Sequence, residues 1–161
     1  MSMIDWYFDF VSPYSYLAWH RLSEVSAGAA INLHPVLFAG LLKAWQQKGP
    51  AEVAAKRVWT YRWCTWWAQQ QGIPFRFPAV HPFNPLPYLR MSVAAGNDAS
   101  AVERIFAALW TGAADPQDEQ LVAALLHGLH LDRERLEAPA VKQALHNETQ
   151  QAIQKGVFGV P

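Results

Sequence analysis

Strand-like apolar runs open the chain, and helical spacing of apolar residues takes over from about residue 38. Met3–Val11 is rich in Ile, Trp, Tyr, Phe and Val, the composition of a strand packed into a sheet. Pro13 then suits a first helical position, where a missing N–H costs nothing and φ is already near helical. A helix is predicted from Pro13 to about Ser26, stopping near Gly28, with Leu17, Leu22 and Val25 facing inward and Ser12 as its N-cap. Ile31–Leu37 begins with apolar and polar residues in alternation, and Pro35 marks an edge or the strand end. Strand, helix and strand over this length form a right-handed βαβ unit with parallel strands.

Leu41–Gln47 reads as a short helix ended by Gly49-Pro50, and Ala51–Gln71 as a long one closed by Gly72-Ile73-Pro74. On the long helix Trp59, Trp63, Trp66 and Trp67 fall at i, i+4, i+7 and i+8. That stripe is expected to be mostly buried in one layer as core packing, with at most one or two indoles reaching the corner at Ser12; the functional alternative is a wall for a flat aromatic substrate. Pro74, Pro78, Pro82, Pro85 and Pro87 make 74–87 an extended crossing segment. Asn84-Pro85 caps a helix to about Ala95. Ser100-Ala101-Val102-Glu103 has the form of a capping box, opening a helix with Val102, Ile105, Phe106 and Leu109 on one side. Asp115-Pro116-Gln117-Asp118 opens another, to about His130; Leu131–Glu137 is a short helix or turn, and Pro139–Lys155 a last long helix ended by Gly156. The closing run Val157–Pro161 is too short for a complete element. Two strands alone leave sheet edges unpaired, so further chain, a partner or the helices are expected to cover them.

At 161 residues and 52% hydrophobic content the chain is about one domain long and buries a sizeable core. Its formal net charge is zero, with no long run of Lys or Arg, so nothing marks it for nucleic acid or an anionic membrane. Lacking an apolar run of about 18 residues, and with Asp5 where a signal peptide needs a basic start, it is expected to be cytoplasmic. The single cysteine, Cys64, excludes an intrachain disulfide and reads as a small core residue. His127 and His130 stand at i, i+3 without a third ligand in sight, so no metal site is expected.

Chemistry concentrates at Ser12-Pro13-Tyr14-Ser15, which has the frame of a redox Cys-x-x-Cys with both thiols replaced by hydroxyls. It cannot form a disulfide. An N-cap hydroxyl beside free amides at the positive end of a helix suits an anion, although the same residues also describe an ordinary capped helix. His20, two turns away, is the nearest base in sequence.

The stretch Phe8-Asp9-Phe10-Val11-Ser12-Pro13-Tyr14-Ser15-Tyr16-Leu17-Ala18 and the closing Gly156-Val157-Phe158-Gly159-Val160-Pro161 resemble the 2-hydroxychromene-2-carboxylate isomerases and kappa-class glutathione transferases, relatives of the DsbA-like thioredoxin fold. Lys43-Ala44, Gly49-Pro50, Lys56, Ala68, Gly72-Ile73-Pro74 and Phe77-Pro78 fall between them in the family's order, so the resemblance spans the chain. It implies an α/β, thioredoxin-like fold with a large helical insertion: 1–37 and 156–161 in the thioredoxin-like domain, 38–155 in the insertion. The family continues past the proline with two strands and a helix, so the C-terminal part of that core is expected to be missing here. The implied cofactor is glutathione, held by Ser12, Pro13, Gln47, Val160 and Pro161, with a cis Val160-Pro161 bond. Ser12 would be catalytic, supporting the thiolate without itself being the nucleophile. Tyr14, Lys43 and Lys56 would face the substrate. Gln46-Gln47 stand where the family usually has Gly-Asn, and Trp63 and Trp66 where it has polar residues. The implied activity is glutathione-dependent isomerisation of a small aromatic, unsaturated carboxylic acid by reversible thiolate addition. The alternatives are a kappa-type transferase conjugating or reducing hydrophobic electrophiles, and a redox-inactive thioredoxin-fold binding module. A homodimer is among the implied states.

Overall fold

A computed structural model describes residues 3–161. Strand β1 (Met3–Phe8) is followed by helices α1 (Pro13–Trp19) and α2 (Leu22–Val25), strand β2 (Ala30–Pro35) and helix α3 (Phe38–Ala44). A 3-10 turn (Pro50–Glu52) leads into α4 (Ala54–Gln71), then α5 (Leu86–Ala94), α6 (Ala99–Trp110), α7 (Glu119–Gly128), α8 (Arg133–Glu137) and α9 (Pro139–Gln154). The strands pair in parallel, from Met3 opposite Ala30 to Phe8 opposite Pro35, as a βαβ crossover requires. Helices α5 and α9 pack on β2, while α1 lies against α4 and α6.

Several boundaries differ from the sequence expectation for identifiable reasons. β1 stops at Phe8 because the chain turns at once, the Ser12 N–H donating to the Asp9 carbonyl at 3.1 Å. The first helix breaks in two after Trp19: the Arg21 N–H donates three residues back to Ala18, which changes the phase of the following turn. Val25, expected to face inward, is therefore 65% exposed, whereas Leu17 is buried. α3 starts three residues early because its first amides find distant acceptors. Phe38 N–H donates to the Asp9 carboxylate at 2.8 Å and Leu37 N–H to the Thr149 hydroxyl at 3.0 Å, meeting the need of a helix start for capping groups.

The indole stripe of α4 is not its buried face. Thr60, Cys64 and Ala68, at i, i+4 and i+8, are buried, while Trp59 and Trp66 are 59% and 52% exposed and Trp63 and Trp67 half-buried. Small side chains on the inner face let the helix approach α1. The indoles lie along its flank, Trp59 on Trp63 and Trp63 on Trp67, with ring centroids 6.1 and 5.6 Å apart. α4 ends at Gly72, whose φ of 64° is the left-handed conformation that glycine adopts without penalty.

Asp98, not Ser100, caps α6, accepting from the N–H groups of Ser100 and Ala101. Its apolar face is as expected: Val102, Ile105, Phe106 and Leu109 are fully buried, together with Trp110. These join Phe8, Phe10 and Tyr16 in the main core. Among the described residues no helix is long and apolar enough to cross a membrane.

Candidate active site

Several backbone groups around Ser12 are held by named partners. The Val11 N–H donates to the Asp9 carboxylate at 3.1 Å, and the Tyr16 N–H to the Ser12 carbonyl at 3.2 Å. Two distant side chains fix the remaining carbonyls: Trp110 Nε1 donates to Phe10 at 2.9 Å, and His81 Nε2 to Val11 at 2.8 Å. Buried backbone polar groups need such partners, and here they lock the turn that presents Ser12. The Ser12 hydroxyl oxygen, 6% exposed by residue, accepts from the Ser15 N–H at 3.1 Å. Its own hydrogen is free to be donated elsewhere. Ser15, in the second hydroxyl position of the frame, is fully buried, and its Oγ finds no partner among the described residues.

A cavity of about 280 Å³ opens beside this corner. Ser12, Pro13 and Tyr14 form one wall, Phe38 and Leu42 of α3 another, and the Gly49–Glu52 turn, Tyr61 of α4, the His81–Phe83 segment and Val160 complete it. Asp9 and Glu52 are its carboxylates, and no Lys or Arg is among its lining residues. Burial pushes the Asp9 carboxyl up from 3.8 to about 7, against the pull of the N–H groups of Phe38, Val11 and Phe10. Burial also lowers the His81 imidazole below its ordinary value, opposed by the Val11 carbonyl. That carbonyl requires a proton on Nε2, so His81 Nδ1 is an acceptor and takes the Tyr61 hydroxyl hydrogen at 2.5 Å. Tyr61 and Tyr14 are both raised by burial, with Arg57 working against the shift at Tyr61 and Thr60 against it at Tyr14.

Of the residues singled out in the sequence, the fold brings Ser12, Pro13, Tyr14 and Val160 to one cavity. Val160 is carried there by a segment tied to α3 through Trp45 Nε1, which donates to the Val157 carbonyl at 2.9 Å. The Val160-Pro161 bond is cis, as expected; a second cis bond, His81-Pro82, is not foreshadowed by the pattern. Pro161 lies on a separate open groove with Trp63 and Trp67, where Tyr14 is a shared wall. Gln47, Lys43 and Lys56 are exposed and line neither cavity, and none of the four indoles lines the Ser12 cavity. Gln46 has φ of 52°, a conformation costly for a residue with a Cβ and open to glycine. Cys64 is buried and its thiol pushed up to about 12, an inert core position. Asp9, Tyr61 and His81 are additional members. The signal for Asp9 is an acid between two aromatics at the end of a strand-like apolar run; Tyr61 and His81 carry none. Among the described residues no cluster of three metal-ligating side chains occurs.

The DSBA-like thioredoxin domain family matches residues 3–161. A 2-hydroxychromene-2-carboxylate isomerase of Pseudomonas putida is 33% identical over 168 aligned residues, covering 99% of this chain and 83% of the relative. The chain belongs to the 2-hydroxychromene-2-carboxylate isomerase family. A solved 2-hydroxychromene-2-carboxylate isomerase has the same fold, with a TM-score of 0.83 at 30% identity over 99% of this chain and 83% of that one. A Caenorhabditis elegans relative named glutathione s-transferase kappa 2 is 25% identical over 99% of this chain and 79% of its own length. The cytosolic disulfide reductase DsbM of Pseudomonas aeruginosa, solved with GSH, shares the fold at 16% identity and a TM-score of 0.64, covering 99% of this chain and 84% of that one. This isomerase-family member is therefore an enzyme of the isomerase class on a DsbA-like thioredoxin fold.

Proposed function

We propose that the protein is a glutathione-dependent isomerase of the 2-hydroxychromene-2-carboxylate type. The observation that carries this reading is the Ser12 hydroxyl, whose oxygen accepts the Ser15 N–H and whose hydrogen remains available at the wall of the cavity. The residues fit the thiol end of glutathione. Ser12 offers a hydroxyl donor at the N-terminus of α1, and Val160 offers a backbone N–H and carbonyl that find no partner among the described residues, the arrangement that receives an extended peptide as an added strand. Glutathione held by Ser12 and Val160 would supply a thiolate for reversible addition to a conjugated acid.

The chain's own part is to stabilise negative charge on sulfur and exclude water. A free thiol has a pKa of about 8.5, the helix terminus favours the anion by roughly 0.3–2 kcal/mol, and a hydrogen bond to an ion contributes roughly 1.5–3 kcal/mol. At about 1.4 kcal/mol per unit, the hydrogen bond alone lowers the thiol pKa by about one to two units, and the helix terminus adds to that. Apolar walls from Phe38, Leu42 and Phe83 suit an aromatic ring. Asp9 and His81 share the cavity, but neither bonds the Ser12 hydroxyl, so Ser12 supports a nucleophile without being one.

The relative named for a kappa glutathione transferase favours a second reading, conjugation or reduction of electrophiles on the same thiolate. Product analysis with 2-hydroxychromene-2-carboxylate and glutathione separates them: the isomerase returns all glutathione, and a transferase consumes it. In Ser12→Ala, absorbance titration of bound glutathione should show a thiol pKa about one to two units higher, with turnover recovering as pH rises. Identical titrations for wild type and variant would remove Ser12 from the mechanism.

A further inference from the structure

We infer that Tyr61, backed by His81, carries the proton that opens the hemiketal ring of such a substrate; the inference rests on the isomerase reading above. The substrate in the relatives' name is a chromene whose carbon 2 bears a hydroxyl, a carboxylate and the ring oxygen. Isomerisation about the neighbouring double bond requires that ring to open. Opening removes a proton from the hydroxyl and delivers one to the ring oxygen, and both oxygens sit on the same carbon. One proton carrier placed at that carbon serves both.

Tyr61 and His81 form such a carrier in the wall of the Ser12 cavity. The Tyr61 hydroxyl lies 2.5 Å from His81 Nδ1, the acceptor in this tautomer, and 3.1 Å from the His81 carbonyl oxygen; donation to Nδ1 leaves the Tyr61 oxygen as an acceptor. His81 Nε2 donates to the Val11 carbonyl at 2.8 Å, so the ring is held in one tautomer and the imidazolium that forms keeps an acceptor for its second N–H. The hemiketal proton passes to the Tyr61 oxygen as the Tyr61 proton passes to Nδ1. The O–H electron pair becomes the second bond of the new carbonyl, the bond from carbon 2 to the ring oxygen breaks, and its electron pair leaves on the aryl oxygen. The same proton returns from His81 through Tyr61 to that oxygen, giving a phenol and restoring the pair. No oxidant, reductant or thiol takes part. Asp9, Glu52 and Tyr14 are the other titratable groups of this cavity. Arg57, four residues before Tyr61 on α4, lies outside the cavity lining and acts on the Tyr61 hydroxyl through its positive charge. Tyr61 is the catalytic residue here; His81 acts through it as a positioning residue that also takes its proton.

Ring opening is measured without glutathione, by mixing 2-hydroxychromene-2-carboxylate and semicarbazide, which traps the open 2-oxo acid, with the full chain. Wild type should accelerate trapping about 10²-fold over buffer, and Tyr61→Phe should lose that acceleration. His81→Asn should lower kcat about tenfold or more while KM stays within about twofold, a split that a purely structural role would not produce. Wild-type trapping no faster than buffer, or Tyr61→Phe as fast as wild type, overturns the proposal. If circular dichroism shows Tyr61→Phe unfolded, ring ¹⁵N resonances of wild-type His81 decide: Nδ1 unprotonated and shifted by the phenolic analogue 2-hydroxycinnamate supports it, and no shift overturns it. Because the trapping assay holds no thiol, failure of the glutathione reading leaves its outcome untouched.

Discussion

Asp9 is buried with both carboxylate oxygens committed, one to the Val11 N–H and one to the Phe38 N–H. It joins the end of β1 to the start of α3 and lines the site, at the cost of a carboxyl raised from 3.8 to about 7 by burial. Between those values the folded chain keeps a proton that the unfolded chain has released. Its contribution to stability therefore falls as pH rises from about 4 to about 7, by up to about 1.4 kcal/mol per pH unit, and is level above that window. Urea unfolding of wild type and Asp9→Asn at pH 5 and pH 8 checks the sign: the advantage of wild type over the variant should shrink at the higher pH. An advantage that grew with pH would mean the native carboxyl is depressed instead. The neighbouring Ser12 accepts the Ser15 N–H and does not spend its own hydrogen on the helix, and the thiol titration of Ser12→Ala tests the role proposed for that hydrogen.

Among the elements, α4 shows how burial follows side-chain volume as well as hydrophobicity. Thr60, Cys64 and Ala68 face inward because they let the helix come close, and the larger indoles are left to its flank, stacked on one another. Trp66→Gln should accordingly change stability by no more than about 0.5 kcal/mol. Ala68→Leu, overfilling a fully enclosed position, should cost about 1–3 kcal/mol. Denaturant unfolding of the two variants measures both, and a larger loss from Trp66→Gln would restore the stripe as the buried face. α3 depends on tertiary contacts in a different way: its two leading amides are satisfied by Asp9 and Thr149, so it begins where those residues place it.

Over the whole molecule, the helical core and the site are joined through Trp110. Its ring stacks on Phe75 and Tyr16 inside the core, and its N–H holds the Phe10 carbonyl two residues before Ser12. Trp110→Phe keeps an aromatic ring but leaves that buried carbonyl without its donor, a cost of about 1–3 kcal/mol. If the chain binds glutathione as proposed, the variant should also bind it more weakly, because the turn bearing Ser12 loses one of its ties; calorimetric titration beside urea unfolding reads both. Unchanged affinity at reduced stability would separate the core from the site. By contrast the ties between sheet and α9, His34 to Glu148 at 2.8 Å and Lys155 to Asp5 at 3.2 Å, lie near solvent and contribute little to stability.

What the sequence determined by itself is local. The strand–Ser–Pro–helix corner, the parallel βαβ unit, the inward face of α6 and the glycine that ends α4 all follow from neighbouring residues, through hydrophobic period, proline geometry and the left-handed freedom of glycine. The hydroxyl frame Ser12-Pro13-Tyr14-Ser15 is legible for the same reason, as is the pairing of the corner with Val160 once the resemblance is seen. Tertiary structure alone decided the start of α3, the face that α4 buries, and the company that Ser12 keeps. Asp9 reaches an amide 29 residues away, and His81 a carbonyl 70 residues away. Tyr61 and His81 meet only because 73–85 crosses back over α4. Periodicity reports which side of an element is apolar, but burial and hydrogen-bond partners depend on the element that packs opposite. For this cavity that element comes from distant parts of the chain.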